Sequence, residues 1–291
     1  MTSRTITIGT THTVTRVGFG AMQLTGEQVW GPYPDHAGGL ALLRALREEG
    51  VDFIDTADVY GPHTNETLIR EALHPYPELT IATKGGFVRG GFDYDTLGSI
   101  GNPLYLRQSA KMSLSRLGLD SIPLYYLHNG YATDAPFEDQ VGALRDLQIE
   151  GVIQNIGLSN VTIEQYAIAR EIAPIAATTA LFNIANRTGG ALMRATLADG
   201  GVFSPWWPMS IRKSVENATP IFEVLDPIAA SHDITTGQLA LAWLLHLSPR
   251  ILPIPGTTSL THLRENMAAL DVTLSAEEVA RISALATDNE A

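Results

Sequence analysis

Hydrophobic and polar positions change rhythm repeatedly along this chain. The opening segment RTITIGTTHTVTRVGFG (4–20) alternates β-branched and polar residues around Gly9-Thr10, which predicts a short hairpin before a first buried strand ending near Phe19-Gly20. Leu40, Leu43 and Leu46 then recur at helical spacing as far as Gly50, which reads as the helix C-cap, and the apolar strand VDFID (51–55) follows at once. The exchange continues with a helix over 66–73, the strand LTIAT (79–83), a helix near 104–117, PLYYLH (123–128), a helix over 137–150 and VIQNIGLS (152–159). After Thr162 come another helix, an apolar run at 175–183, a helix near 192–199, GVFSPWW (201–207), a helical region through Leu247 and ILPIPG (251–256). Eight strand–helix units behind a hairpin predict a parallel sheet closed into a (β/α)8 TIM barrel. No Gly/Pro/Ser-rich linker divides residues 1–291, so a single barrel domain is expected.

Composition narrows the function. The chain has 45% hydrophobic residues and no low-complexity run, so a folded core is expected throughout. Its longest apolar runs, such as 239–247, fall short of the roughly 18 residues a membrane span needs, and no signal-peptide pattern opens it, which predicts a cytoplasmic protein. Cysteine is absent, which excludes disulfides, thiolate zinc sites and cysteine nucleophiles. A formal charge of −12 without a Lys/Arg cluster argues against nucleic acid as a partner.

In a barrel of this kind chemistry gathers at the C-terminal ends of the strands. Strand two ends at Asp55 in DTADVYG (55–61), with Tyr60 in the loop after it; strand three ends at Lys84 and strand four at His128. Taken singly, the aspartate reads as a helix cap, the tyrosine as loop packing, the lysine as a solvated charge and the histidine as a core residue. The functional reading rests on their arrival at one end of the barrel.

The segments GFGAMQL (18–24), GVDFIDTADVYG (50–61), NETLIREAL (65–73), IATK (81–84), SRLGLDSIPLYYLH (115–128), GVIQNIGLSN (151–160) and IPGTTSLTHLRENMAAL (254–270) occur in an order that resembles the aldo-keto reductases across most of the chain. Within that family the resemblance points to bacterial pyridoxal reductases and general carbonyl reductases. It implies a catalytic set of Asp55, Tyr60, Lys84 and His128 that reduces an aldehyde or ketone with hydride from NADPH, NADH being the alternative, and without a metal. Tyr60 would donate the proton, Lys84 would favour its phenolate, Asp55 would hold the lysine, and His128 would orient the carbonyl.

The same resemblance implies the cofactor contacts. Gly20, Ala21, Met22 and Asp55 would contact the cofactor, and Ser159 and Asn160 would grip the nicotinamide carboxamide. Trp206 would stack on the ring, Trp207 being the alternative if the register shifts by one. Pro208 and Met209 would follow. Ile254, Gly256, Thr257, Thr258 and His262 would also contact the cofactor, and Glu265 and Asn266 would hold adenine. From spacing alone, backbone N–H groups at 257–259, ahead of an apolar stripe of Leu260, Leu263, Met267 and Leu270, make a phosphate site or merely a good N-cap. Three positions depart from the family pattern: Thr179 replaces a glutamine, Gly256 stands where many members carry a Lys or Arg, and His262 stands where they carry an Arg. Arg264 is a possible replacement.

For the substrate, a small-molecule carbonyl compound, Trp30, Phe87 and Trp207 are expected to give an aromatic wall, joined by Tyr60 and His128. The glycine-rich stretch GGFVRGGFDYDTLGSIG (85–101) reads equally as a pocket loop or a plain connection. Two other readings stay open: Lys84 as a Schiff-base former, as in barrel aldolases, and a cofactor-binding accessory, sensor or non-redox biosynthetic protein on the same barrel.

Overall fold

An antiparallel hairpin, Thr5–Ile8 with His12–Thr15, opens the computed structural model, which describes residues 3–286. Seven parallel strands follow: Phe19–Gly20 (β1), Phe53–Asp55 (β2), Thr80–Gly85 (β3), Ile122–Leu127 (β4), Ile153–Ser159 (β5), Ile175–Leu181 (β6) and Val202–Trp206 (β7). Each pairs with its neighbour in sequence order. The helices are His36–Ala45 (α1), Thr64–Leu73 (α2), Pro103–Leu117 (α3), Phe137–Ile149 (α4), Ile163–Ile172 (α5), Gly190–Ala198 (α6), Ile211–Ser214 (α7), Thr219–Ser231 (α8), Thr236–Leu247 (α9), Leu260–Ala268 (α10) and Ala276–Ser283 (α11). Helix α1 stops at Ala45, short of the expected Gly50, because Leu46 and Gly50 bond back three residues and Val51 N–H bonds Leu46 O, turning the chain into β2.

The eighth unit closes the barrel without forming a regular strand. Leu252 N–H donates to Phe203 O at 2.9 Å on one side, and on the other Gly18 and Gly20 N–H donate to Pro253 O and Pro255 O at 3.0 and 3.1 Å. Both prolines accept but have no N–H to return, so ILPIPG makes only half a ladder toward β1. The sheet is nonetheless joined end to end, giving the (β/α)8 barrel that the sequence predicts.

Strand residues alternate between two cores. Phe53, Ala82, Leu124, Tyr126, Ala177, Val202 and Leu252 fill the barrel interior, and the hairpin's Ile6, Ile8 and Val14 plug its N-terminal end. Gly157 makes room inside: a Cβ there would lie 2.3 Å from the Tyr126 ring. The opposite faces of the strands pack against the helices, as Ile54 and Ile81 do with Leu43, Leu46 and Leu68. No helix of the described residues is long and apolar enough to cross a membrane.

Two polar clusters brace the frame. Arg16, fully buried, donates to Leu245 O at 2.8 Å, Ser248 O at 2.5 Å, Ser3 O at 3.2 Å and Ile251 O at 3.4 Å, tying the end of α9 and the closing segment to the chain that enters β1. In the second cluster, Glu66 of α2 accepts from Thr83 Oγ1 and from Arg116 Nε, both at 2.6 Å. Nearby, Ser109 of α3 donates to the buried Asp58, whose carboxyl is pushed up to about 7, chiefly by burial.

Replacing Arg16 by alanine orphans these carbonyls, and denaturant unfolding is expected to show a loss of about 3 kcal/mol. A loss below about 1 kcal/mol would mean that water satisfies them equally well. Asp58 works in the opposite sense. Between its ordinary value of 3.8 and about 7 the folded state holds a proton that the unfolded chain has released, so this group makes stability fall as pH rises through that window. The Asp58→Asn variant should therefore lose less stability than the parent between about pH 5 and pH 8. An equal loss in both proteins would contradict the assignment.

Candidate active site

The interior rows of the barrel strands end in polar residues at the C-terminal mouth. Phe53 is followed in its row by Asp55, Ala82 by Lys84, Leu124 and Tyr126 by His128, Ala177 by Thr179 and Gly157 by Ser159. The period of two that fills the core thus delivers these side chains to one layer.

Lys84 Nζ is ion-paired with Asp55 Oδ1 and donates to Thr56 O at 2.9 Å; both charged residues are 3% exposed. The ammonium lies 5.2 Å from the centre of the Tyr60 ring. Tyr60 is held by a turn in which its N–H bonds Ala57 O at 3.2 Å, and its ring centre is 6.0 Å from that of His128. His128 N–H bonds Gly85 O at 2.8 Å, and the Phe87 ring meets the imidazole edge to face at 4.7 Å. Asp55 Oδ2 and His128 Nδ1 are buried without a protein partner.

Burial pushes the Asp55 carboxyl up, and Lys84 opposes this. Burial and then Lys84 hold His128 well below the ordinary imidazole range, so its ring is neutral. The Tyr60 phenol is pushed well above its ordinary value by burial, then by Asp55, Tyr94 and Asp58. The resting phenol is therefore protonated: burial in the low-dielectric mouth outweighs the pull of the nearby Lys84 ammonium toward the phenolate.

Around this layer stands an aromatic rim. The stretch at 85–101 is a built element, with Phe87–Arg89 and Leu97–Ser99 paired as an antiparallel ribbon. Trp30 pairs with Gly61, next to Tyr60, and meets Phe92 edge to face at 4.9 Å. Arg89 clamps ribbon to loop: it donates to Gln28 O and Val29 O at 3.0 and 3.2 Å and to Phe92 O at 2.7 Å, and its guanidinium lies over Trp30 and Tyr94. Trp207, 40% exposed, stands nearly perpendicular to Trp206, the ring centres 5.4 Å apart.

The residues expected at the nicotinamide form a connected wall. Trp206 Nε1 donates to Asn160 Oδ1 at 3.0 Å, and Asn160 Nδ2 donates to Ser159 Oγ at 2.9 Å. Thr179 is buried and its hydroxyl donates to Ser204 O at 2.6 Å, so it is occupied within the barrel. Gly20 bonds the closing segment, and the carbonyl of Ala21 accepts from buried Asn65 at 2.9 Å. Met22 O accepts from Thr25 Oγ1 at 2.8 Å, Pro208 is buried, and Ile254 ends an interior row.

Beyond this wall a pocket of about 500 Å³ contains Met209, Gly256, Thr257, His262, Glu265 and Asn266. Asn266 is buried, 5% exposed, and its Nδ2 has no partner. Thr258 is exposed and does not line the pocket. Of the backbone donors expected at 257–259, Ser259 N–H is taken by Thr257 Oγ1 at 3.0 Å, because the turn caps itself.

Several site residues escaped the sequence reading. Asn65 joins the loops after β1 and β2, bonding Ala21 O, Leu24 O and Thr56 Oγ1. NETLIREAL contains it, but nothing local marks it as inward-facing. Arg89, Phe92 and Tyr94 were hidden in the glycine-rich stretch, whose pairing depends on contacts distant in sequence. Arg212, Phe222, Thr236 and Gly237 complete the pocket wall from α7, α8 and α9.

The Aldo/keto reductase family profile matches residues 16–287. The chain is 40% identical to the pyridoxine 4-dehydrogenase of Escherichia coli K12 over 294 residues, covering 99% of this chain and all of that one. It is 39% identical to an uncharacterized oxidoreductase of Schizosaccharomyces pombe, over 92% of this chain and 86% of the other. A Klebsiella pneumoniae aldo-keto reductase, solved in complex with NADPH, superposes with a TM-score of 0.80 at 25% identity, over 98% of this chain and 95% of that one. With the family profile matching residues 16–287 and a relative 40% identical over nearly the whole length, the chain belongs to the aldo/keto reductase family.

Proposed function

We propose that the protein interconverts an aldehyde or ketone and the corresponding alcohol, using NADPH, with Tyr60 as the proton donor in reduction. The observation that carries this reading is the Lys84 ammonium, held by Asp55 beneath the Tyr60 phenol, with neutral His128 alongside. Reduced nicotinamide, when bound, supplies the hydride. Developing negative charge on the carbonyl oxygen then needs a donor within hydrogen-bond reach. Tyr60 arrives protonated, and Lys84 stands close enough to stabilise the phenolate as the proton leaves. His128 Nδ1 lacks a partner, so we assign its proton to Nε2, the nitrogen left to donate toward the substrate oxygen. Oxidation of the alcohol runs through the same groups in reverse.

The residues fit a dinucleotide. Unpartnered Asn266 Nδ2 in the 500 Å³ pocket suits an adenine acceptor, and Glu265 beside it suits the adenine amino group. Ser159 and Asn160, locked against Trp206, offer a preorganised edge for the carboxamide. The rim of Trp30, Phe87, Phe92 and Tyr94 suits a flat aromatic carbonyl compound. Together with the similarity to a pyridoxine 4-dehydrogenase, this favours pyridoxal as substrate, or pyridoxine in the oxidative direction. Lys84 as a Schiff-base former is disfavoured by its burial and its bond to Asp55.

Tyr60→Phe is expected to lower the rate constant for pyridoxal reduction by about a hundredfold or more. Its NADPH dissociation constant should stay within about twofold of the parent. Undiminished turnover would contradict the assigned donor. The pKa shifts set a pH profile. A raised Tyr60 stays protonated as pH climbs and a depressed His128 stays neutral as it falls, so kcat for reduction should be flat between about pH 6 and pH 9. A fall centred near the ordinary imidazole value would show that His128 charges in the working enzyme.

A further inference from the structure

NADPH differs from NADH by one dianionic phosphate on the adenosine ribose, and a protein that uses it needs a cation at that point. This chain carries a net charge of −12 and has Glu265 in the pocket wall, so the demand is acute. The expected positions do not meet it. Gly256 cannot carry a long side chain easily, because a Cβ there would lie 2.9 Å from Gly20 O. Arg264 is committed elsewhere: its Nε and Nη2 donate to Glu49 Oε1 at 2.9 and 2.8 Å, and it does not line the pocket.

The arginine that does line the pocket is Arg212, which comes from α7, whereas His262 and Asn266 come from α10. Its guanidinium carbon is 4.1 Å from the centre of the Phe222 ring, and Phe222 lines the same pocket. Among the described residues it makes no hydrogen bond or ion pair, so its donors remain unclaimed. A guanidinium resting on an aromatic face keeps its N–H edge available, and that planar fork matches phosphate oxygens.

We propose that Arg212, supported by Phe222, reads the 2′-phosphate of NADPH, so that the selectivity expected from the α10 side of the pocket is supplied from α7. This rests on the dinucleotide reading above but not on the identity of the carbonyl substrate. Phe222 fixes the plane of the guanidinium, and Asn266 and Glu265 of the same pocket hold adenine. A lysine at 212 would keep the charge but lose the fork.

Calorimetric titration of the whole protein with NADPH, NADH and adenosine 2′,5′-bisphosphate tests this without relying on turnover. Arg212→Gln should weaken NADPH and the bisphosphate by roughly 10- to 100-fold, the worth of a charge-assisted hydrogen bond, and leave NADH within about twofold. Arg212→Lys should fall between the parent and the glutamine variant, and thermal unfolding should be unchanged in both. Equal weakening of NADPH and NADH would overturn the proposal, because the arginine would then serve a group common to both. Unchanged affinity for NADPH would overturn it too. A parent protein that binds neither dinucleotide would sink the functional reading as well, whereas parent binding with an unaltered NADPH/NADH ratio in the variants would sink this inference alone.

Discussion

The ion pair between Asp55 and Lys84 is the constraint on which the mouth of this barrel depends. Burying two opposite charges costs several kcal/mol per ion, and the attraction between them barely repays it. Such a pair is a poor way to stabilise a fold. Here Asp55 Oδ2 is left without any partner, so the arrangement is not even fully satisfied. Its consequence lies in position: the aspartate fixes an ammonium beneath Tyr60, where a positive charge gains value as a phenolate forms.

Burial is the main reason the resting phenol is so weakly acidic, and the Asp55 carboxylate of the pair adds to it. On the proposed mechanism, a donor that stays protonated until substrate arrives is useful for reduction, since proton transfer then accompanies the development of charge instead of preceding it. Burial and the neighbouring Lys84 likewise keep His128 neutral, which suits the proposed role of orienting a carbonyl without competing as an acid.

How much of this was legible in sequence depends on whether the determining contacts are local. The alternation of strands is local, so the barrel could be read, and with it the fact that Asp55, Lys84 and His128 extend the same interior rows as Phe53, Ala82 and Tyr126. The apolar period of ILPIPG predicts a strand; its prolines leave only half the ladder, which depends on where Gly18 and Gly20 lie. The ribbon at 85–101 was obscured by glycines, and its order comes from Arg89 reaching the carbonyls of Gln28 and Val29, some sixty residues away. Tyr60 misled in a different way: lysine proximity suggested a lowered pKa, whereas burial, a property of the whole mouth, sets the opposite sign. Arg212 lines the pocket from the short helix α7, and nothing in its local spacing marks it as facing a cavity.

The central claim is that the buried lysine acts on proton donation by Tyr60 and not on cofactor binding. The most direct measurement is the single-turnover rate of NADPH oxidation by pyridoxal in Lys84→Met, alongside the NADPH dissociation constant of the same variant. The account predicts a rate lower by about a hundredfold or more with cofactor affinity within about twofold of the parent. A rate near that of the parent, or a loss explained entirely by weaker NADPH binding, would contradict it.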